Sequence, residues 1–285
     1  MTAQVTVGLD GSQESLAAVG WAARAAVLHE VPLRMVHVEE WPSTPEVPLS
    51  HTRTMAERAE SLLRDEAERV RQDRPGLEVV TERARGRAAE ELTAAANDAD
   101  LTVLGSRGLG GLRGFIVGSV SLAVVGAARR PVVLVRAEDG HVAPGGGIVA
   151  GVDVSHPCQA LLAFSFAEAA RWGTPLRFLH SWPLPVSYGY AAVMDPGIGE
   201  ELGSHLVGDL DDLLEPWRKR YAGVDVAADV VMGSAAYQLV EASQAAQLVV
   251  VGRRGRRVPV GTHLGHVAHA VIHHSPAPVA VVPLT

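Results

Sequence analysis

The sequence repeats itself, and the repeat limits what it can fold into. Gly8-Leu-Asp-Gly-Ser12 returns as Gly151-Val-Asp-Val-Ser155, and Pro32-Leu-Arg-Met-Val-His37 returns as Pro175-Leu-Arg-Phe-Leu-His180, both 143 residues on. Further along, Gly86-Arg-Ala-Ala89 matches Gly233-Ser-Ala-Ala236, and Gly105 and Gly118 match Gly252 and Gly265. Pro131-Val-Val-Leu-Val135 matches Pro278-Val-Ala-Val-Val282, and these later offsets are all 147. Two constant offsets separated by one small step describe a duplicated domain with a net insertion in the second copy. The insertion falls before Gly233, in the stretch with Pro183, Pro185, Pro196, Gly197 and Gly199. Ala137 to Gly147 has the Gly/Pro composition of a linker. The expected division is therefore domain 1 over 1–137, a linker over 138–147 and domain 2 over 148–285. A chain of 285 residues has room for two such domains.

Within the first copy, Val5 to Leu9 is a short apolar run of the kind that forms a strand buried on both faces. Ser12 follows as a helix cap, and the helix expected from Ser15 to about His29 is rich in alanine, which lets it lie close on a sheet. Pro32 stops it, and Leu33 to Val38 reads as the second strand. Trp41 to Ser50, with three prolines, reads as loop. A helical period runs from about Arg53 to Gln72, with Met55, Ala59, Leu62, Leu63, Ala67 and Val70 on one face. Leu77 to Thr81, the run from Leu101 and Pro131 to Arg136 supply three more strands, and a helix is expected near Ala88 to Asn97. Strands alternating with helices imply parallel pairing and right-handed crossovers. The expected fold class is α/β, two tandem doubly wound domains, each a five-stranded parallel sheet with helices on both faces. In such sheets ligands bind beyond the carboxyl ends of the strands.

The chemistry is concentrated at one such end. The run from Leu101 to Ser121 begins as a strand, passes Gly105, Gly108, Gly110, Gly111 and Gly114, and enters a helix through Gly118-Ser119. Glycines let backbone N–H groups approach an anion closely, and a helix start adds free donors and a positive dipole end. No lysine follows, so this is not a P-loop, and the spacing is not GxGxxG. The spacing G-x2-G-x9-G-[S/T] resembles the ATP-binding class of the universal stress protein family. The Asp-Gly-Ser turn and the Pro-Val-Val-Leu-Val end strand, in the same order in both halves, extend that resemblance over nearly the whole chain as a tandem pair of such domains. It implies an adenine nucleotide alpha hydrolase-like fold, with ATP and Mg²⁺ as ligands. Carried over by motif, Gly8 and Asp10 meet the nucleoside and metal end, Asp10 through Mg·ATP. Val38 offers its backbone to adenine. Leu104, Gly105, Arg107 and Gly108 wrap ribose and phosphate, and Gly118, Ser119, Val120 and Ser121 donate to the phosphates. Each has an ordinary structural role open to it as well: a glycine-rich linker, a strand-end Asp10, a solvated Arg107, Ser119 as a helix cap.

The second half departs from the pattern. Gly252, Gly255 and Gly265 keep the spacing, but His266 replaces the Ser or Thr and Val154 replaces the glycine after Asp153. Arg256-Arg-Val-Pro-Val260 replaces the flexible glycine run. Proline and β-branched residues restrict a loop that must wrap a ligand. A second nucleotide site built from Gly151, Asp153, Gly252, Arg254, Gly255, Gly265 and His266 is expected to bind ATP weakly or not at all. His263, His266, His269 and His273 have helical spacing and read as packed or solvated histidines before they read as metal ligands. Cys158, the single cysteine, excludes an intrachain disulfide. It sits at an expected helix start, where a thiolate is favoured, and also reads simply as an inert small residue.

Net charge is −7, which argues against nucleic-acid partners. No apolar run reaches membrane-spanning length, and Met-Thr-Ala-Gln-Val-Thr-Val has no export signal, so a cytoplasmic protein is expected. No Ser-His-Asp set, carboxylate pair or nucleophile elbow can be assigned from spacing, so an enzyme is not expected beyond slow ATP hydrolysis. The leading function is a nucleotide-dependent regulator of the stress response. The alternative is an interaction module without nucleotide. The resemblance further implies a homodimer or internal pseudo-dimer through the terminal strands, Val132 to Val135 and Val279 to Val282.

Overall fold

Each short apolar run of the repeat is a strand, and each alanine-rich or amphipathic stretch between two strands is a helix. The computed structural model describes residues 3–40, 49–106, 117–137, 146–156, 158–183, 197–254 and 264–284. The first copy runs β1 (Val5–Gly8), α1 (Gln13–His29), β2 (Leu33–Glu39), α2 (Leu49–Asp73), β3 (Val79–Arg85), α3 (Ala88–Asn97), β4 (Leu101–Gly105), α4 (Ser119–Ala127) and β5 (Val132–Val135). The second runs β6 (Ile148–Val152), α5 (Gln159–Trp172), β7 (Leu176–Trp182), α6 (Gly197–Arg220), β8 (Val226–Met232), α7 (Ala235–Ser243), β9 (Leu248–Arg254), α8 (His266–His274) and β10 (Val279–Leu284). The described residues up to 137 belong to one compact unit and those from 146 to another.

In the first unit the strand order is β3-β2-β1-β4-β5, and in the second it is β10-β9-β6-β7-β8, which is the same order read from the other end. Neighbouring strands within each unit are parallel, with Val5 opposite Leu33 and Leu101, and Ile148 opposite Leu176 and Leu248. The order reverses at β1/β4 and at β6/β9, so the carboxyl ends of those strands frame the ligand cleft of each unit. The core follows from composition. β1, β4 and β5 are buried along their whole length, and five alanines of α1 (Ala18, Ala22, Ala23, Ala25 and Ala26) are fully buried against them. The second unit adds an aromatic cluster, in which Phe166 meets Phe178, Trp217 and Tyr221 with ring centroids 5.3, 5.8 and 5.5 Å away.

The duplication reaches individual side chains. Arg34 of β2 donates through Nε to Glu82 of β3 at 2.7 Å, and Arg177 of β7 makes the same ion pair with Asp229 of β8. His37 Nδ1 lies 2.7 Å from the Leu9 carbonyl, and His180 Nδ1 lies 3.1 Å from that of Val152. Both α1 and α5 end on a left-handed residue, Glu30 at φ 56° and Gly173 at φ 59°.

Three expectations need correction. β3 is displaced toward the carboxyl terminus relative to Leu77–Thr81. Its charged second half stays in the sheet because Glu82 pairs with Arg34, and Arg83 and Arg85 both pair with Glu39 of β2. Met55, expected on the buried face of α2, is 50% exposed, whereas Ala59, Leu63, Ala67 and Val70 are buried. The helix itself begins at Leu49 rather than Arg53.

Candidate nucleotide sites at the strand ends

Two connections meet beyond the carboxyl ends of β1 and β4 in the first unit. Leaving β1, the chain turns through Asp10-Gly11-Ser12. Ser12 donates to Asp10 Oδ1 from both its N–H, at 2.9 Å, and its hydroxyl, at 2.6 Å. Gly11 has φ +86°, which a glycine adopts without strain. Ser12 caps α1 by accepting from the Ser15 N–H at 3.2 Å, and the Ser15 hydroxyl receives the N–H groups of Gly11 and Asp10 at 3.1 and 3.3 Å. Asp10 is part-buried, with Oδ1 committed to the turn and Oδ2 making no hydrogen bond among the described residues, so a carboxylate oxygen is available to a ribose hydroxyl or a metal-bound water.

At the end of β4, the Ser106 N–H donates to the Val135 carbonyl and the Gly118 N–H donates to the Ser106 carbonyl, each at 2.7 Å. Gly118 is the N-cap of α4 and, having no side chain, leaves the helix start without a side-chain cap. The first intrahelical bond is Leu122 N–H to Gly118 carbonyl, so the N–H groups of Ser119, Val120 and Ser121 are the orphan donors of the first turn. Ser119 is exposed. The Ser121 hydroxyl, expected to face phosphate, instead donates to the Gly105 carbonyl at 2.7 Å and ties α4 to the end of β4. Ser121 thus contributes to an anion site through its backbone alone.

Several motif residues prove to be packing residues. A Cβ at Gly105 would stand 2.8 Å from backbone atoms of Glu14 and Ser15, so this glycine lets the start of α1 close on β4. A Cβ at Gly8 would stand 2.7 Å from Leu104 Cδ2, and Leu104 is itself core at 3% exposure. Val38, at the end of β2, pairs in register with Ala84 and is half-buried. Arg107 and Gly108 lie outside the described residues. Sequence reasoning missed Ser106. It is 3% exposed, its hydroxyl has no hydrogen-bond partner among the described residues, and it links the end of β4 to the N-cap of α4. The signal was its place directly after the strand glycine. The donor set of this cleft, which is bare backbone N–H groups, one orphan hydroxyl and one half-committed carboxylate, fits a nucleotide with its divalent cation.

The second unit keeps the frame and fills the cleft from within. A Cβ at Gly151 would meet Leu239 at 2.7 Å, as one at Gly8 would approach the equivalent Leu92. Asp153 corresponds to Asp10, but both its oxygens are engaged. Oδ1 accepts from the Ser155 N–H at 3.1 Å, and Oδ2 holds Arg254 Nη2 at 2.6 Å and His156 Nδ1 at 2.9 Å. Burial is the largest influence on this carboxyl and pushes it up. The Ser155 N–H, His156 and Arg254 together outweigh it and hold the group below the usual carboxylate range. A tethered guanidinium therefore stands at the carboxylate that a metal-bound water or a ribose would need. Gly252 is crowded by Leu284, whose Cδ1 would lie 2.5 Å from a Cβ there. Gly265 caps α8 at φ +71°, unlike Gly118 at φ −66°, so the two helix starts differ in backbone path. His266 is exposed at the first position of α8. Gly255 and His263 lie outside the described residues.

His269 and His273 stack along α8 with ring centroids 4.3 Å apart, and no group of three or more ligating side chains among the described residues could hold a metal ion. The thiolate reading of Cys158 is overturned. Burial, with the Asp153 charge beside it, pushes the thiol up, and the residue is 3% exposed. No helix among the described residues is long and apolar enough to cross a membrane.

Parallel α/β units with helices on both faces and a bare helix start beside a strand end define a doubly wound class of proteins, and comparison with known proteins names the family. Segments 1–136 and 147–283 each match the universal stress protein family. A universal stress protein of Mycolicibacterium smegmatis is 34% identical over 292 residues, covering 98% of this chain and 96% of that protein. Universal stress protein Rv2005c of Mycobacterium tuberculosis is 33% identical over 294 residues, covering 97% and 96%. A universal stress protein structure from Archaeoglobus fulgidus superposes with a TM-score of 0.72 at 18% identity over 99% of this chain and 98% of that one. The chain belongs to the universal stress protein family, with two such domains in tandem.

Proposed function

We propose that the amino-terminal unit binds ATP with Mg²⁺ and acts as a nucleotide-dependent regulator in the stress response, hydrolysing ATP slowly or not at all. One observation carries the reading: the N-terminus of α4 lies beside the end of β4 with a glycine at its cap, leaving three backbone donors and the helix dipole for an anion. The orphan Ser106 hydroxyl supports it, because a buried hydroxyl without a partner costs about 1–3 kcal/mol that a ligand oxygen would offset. Asp10 would hold a metal-bound water or ribose hydroxyls through Oδ2, and Val38 would present its backbone to the base. Magnesium would neutralise phosphate charge when bound, while this chain's residues orient the triphosphate. The carboxy-terminal unit has its equivalent carboxylate neutralised by Arg254 and would bind nucleotide weakly or not at all. Association through the terminal strands β5 and β10, as a homodimer or an internal pseudo-dimer, belongs to the same reading.

Calorimetric titration of the full chain with Mg·ATP tests this. One saturable site per chain is expected, with the nucleotide recovered largely intact afterwards. Gly118→Asp places a carboxylate on the free N–H groups and should abolish binding while stabilising α4 by about 0.3 kcal/mol. His266→Glu, at the first residue of α8 and one past its cap Gly265, should leave the titration unchanged. Absence of saturable heat would favour the interaction module instead, and two equivalent sites would refute the ranking of the units.

A further inference from the structure

Away from the nucleotide clefts, α2 and β3 enclose a groove of about 430 Å³. Glu60, Arg64, Ala67 and Arg71 line it from α2, and their spacing of four, three and four residues puts them on one face of that helix. Thr81 and Arg83 line it from β3, the edge strand of the first unit. Leu63 and Ala67 form an apolar floor, 5% and 1% exposed. Three guanidinium groups thus face one carboxylate in a chain whose net charge is −7.

The arginines keep capacity to spare. Among the described residues Arg71 donates one hydrogen bond, to the Val79 carbonyl at 2.8 Å, and has no ion-pair partner. Arg83 meets Glu39 at 3.2 Å through Nε and the Ala56 carbonyl at 3.3 Å through Nη1. Arg64 reaches Asp65 at 3.6 Å and Ser61 at 3.3 Å, with its side chain 60% exposed. Each guanidinium carries five N–H donors in a fork that matches a carboxylate or phosphate.

We propose that this groove is a binding site for a compact organic anion, a carboxylate or phosphate ester on an apolar body, held by Arg64, Arg71 and Arg83 over Leu63 and Ala67. An added β-strand is the obvious competitor, because an edge strand offers unpaired backbone groups. Arg71 counts against it. Its guanidinium already occupies the Val79 carbonyl at the start of that edge. The volume is in the range of small-molecule sites.

Phenyl phosphate titrated into the ¹⁵N-labelled full chain is the test. Saturable shifts are expected at the Thr81 and Arg83 amides and at the Nε–H signals of Arg64, Arg71 and Arg83, with inorganic phosphate binding more weakly for want of the apolar contact. Arg64→Gln and Arg71→Gln should each weaken binding about tenfold, the loss of one charge-assisted bond. Arg64 is exposed on a helix surface, so its variant keeps the test valid if Arg71→Gln proves unstable. Absence of saturable shifts, binding undiminished in both variants, or a Glu-rich peptide binding more tightly with new amide protection along β3 would overturn the proposal.

Discussion

Glu30 stands at the left-handed end of α1, a position the second copy gives to Gly173, and the two φ values differ by only a few degrees. A residue with a Cβ pays about 1 kcal/mol or more for that conformation, and glycine does not. Glu30→Gly is therefore expected to raise unfolding stability by about 1 kcal/mol, measured by urea denaturation of the full chain. The internal repeat supplies its own reference, since the same backbone is built with both residues. Individual motif residues were less legible. Gly105 was read as a ligand glycine, yet its lack of a side chain is demanded by backbone atoms of α1 lying 2.8 Å from where a Cβ would be. A glycine's reason is a distance to something far away in sequence, and spacing does not contain it. Ser121 likewise could not be separated from Ser119 by pattern, although one hydroxyl is bonded to Gly105 and the other residue is exposed.

At the scale of elements, strand and helix types were legible because the periods are distinct and short apolar runs leave little choice. β3 was misplaced because its second half is charged, and only cross-strand partners on β2 make such residues suitable for a strand. The contrast between the two clefts is also an element property. The turn after β1 leaves Asp10 half-committed, whereas the longer β9 delivers Arg254 to Asp153. Asp153 lies below the usual carboxylate range, so its contribution to stability is fully present above the ordinary value of 3.8 and is lost as pH falls through its lower folded value. The groups in contact with it are Arg254 and His156, with Cys158 nearby. Asp153→Asn should cost up to about 1 kcal/mol at neutral pH, as expected for a partly exposed pair. The gap between parent and variant should narrow below about pH 5 and close once Asp153 is protonated. Urea midpoints measured across that range provide the check.

At the scale of the whole molecule, the duplication was the most legible feature, because matched segments at fixed offsets need no structural knowledge to detect. The structure extends it to side-chain ion pairs and histidine contacts that repeat between the units. What the repeat could not convey is that the units differ in how their clefts are occupied. Hydrogen exchange should reveal this directly. With Mg·ATP at about a hundred times its dissociation constant, ligand linkage is worth about 2.7 kcal/mol. Protection should appear at the turn after β1 and at the first turn of α4, with the start of α8 unchanged. Equal protection of both helix starts would contradict the proposed difference.

The ion pair between Arg254 and Asp153 has a consequence beyond blocking a ligand. A carboxylate furnished with its own counter-charge by the polypeptide needs nothing from the surrounding solution to be neutralised. One half thus carries its counter-charge within the chain, while the equivalent carboxylate of the other keeps an oxygen open to a charge arriving from solution. If the amino-terminal unit binds nucleotide as proposed, it alone answers to that supply, and the other half serves as a constant scaffold.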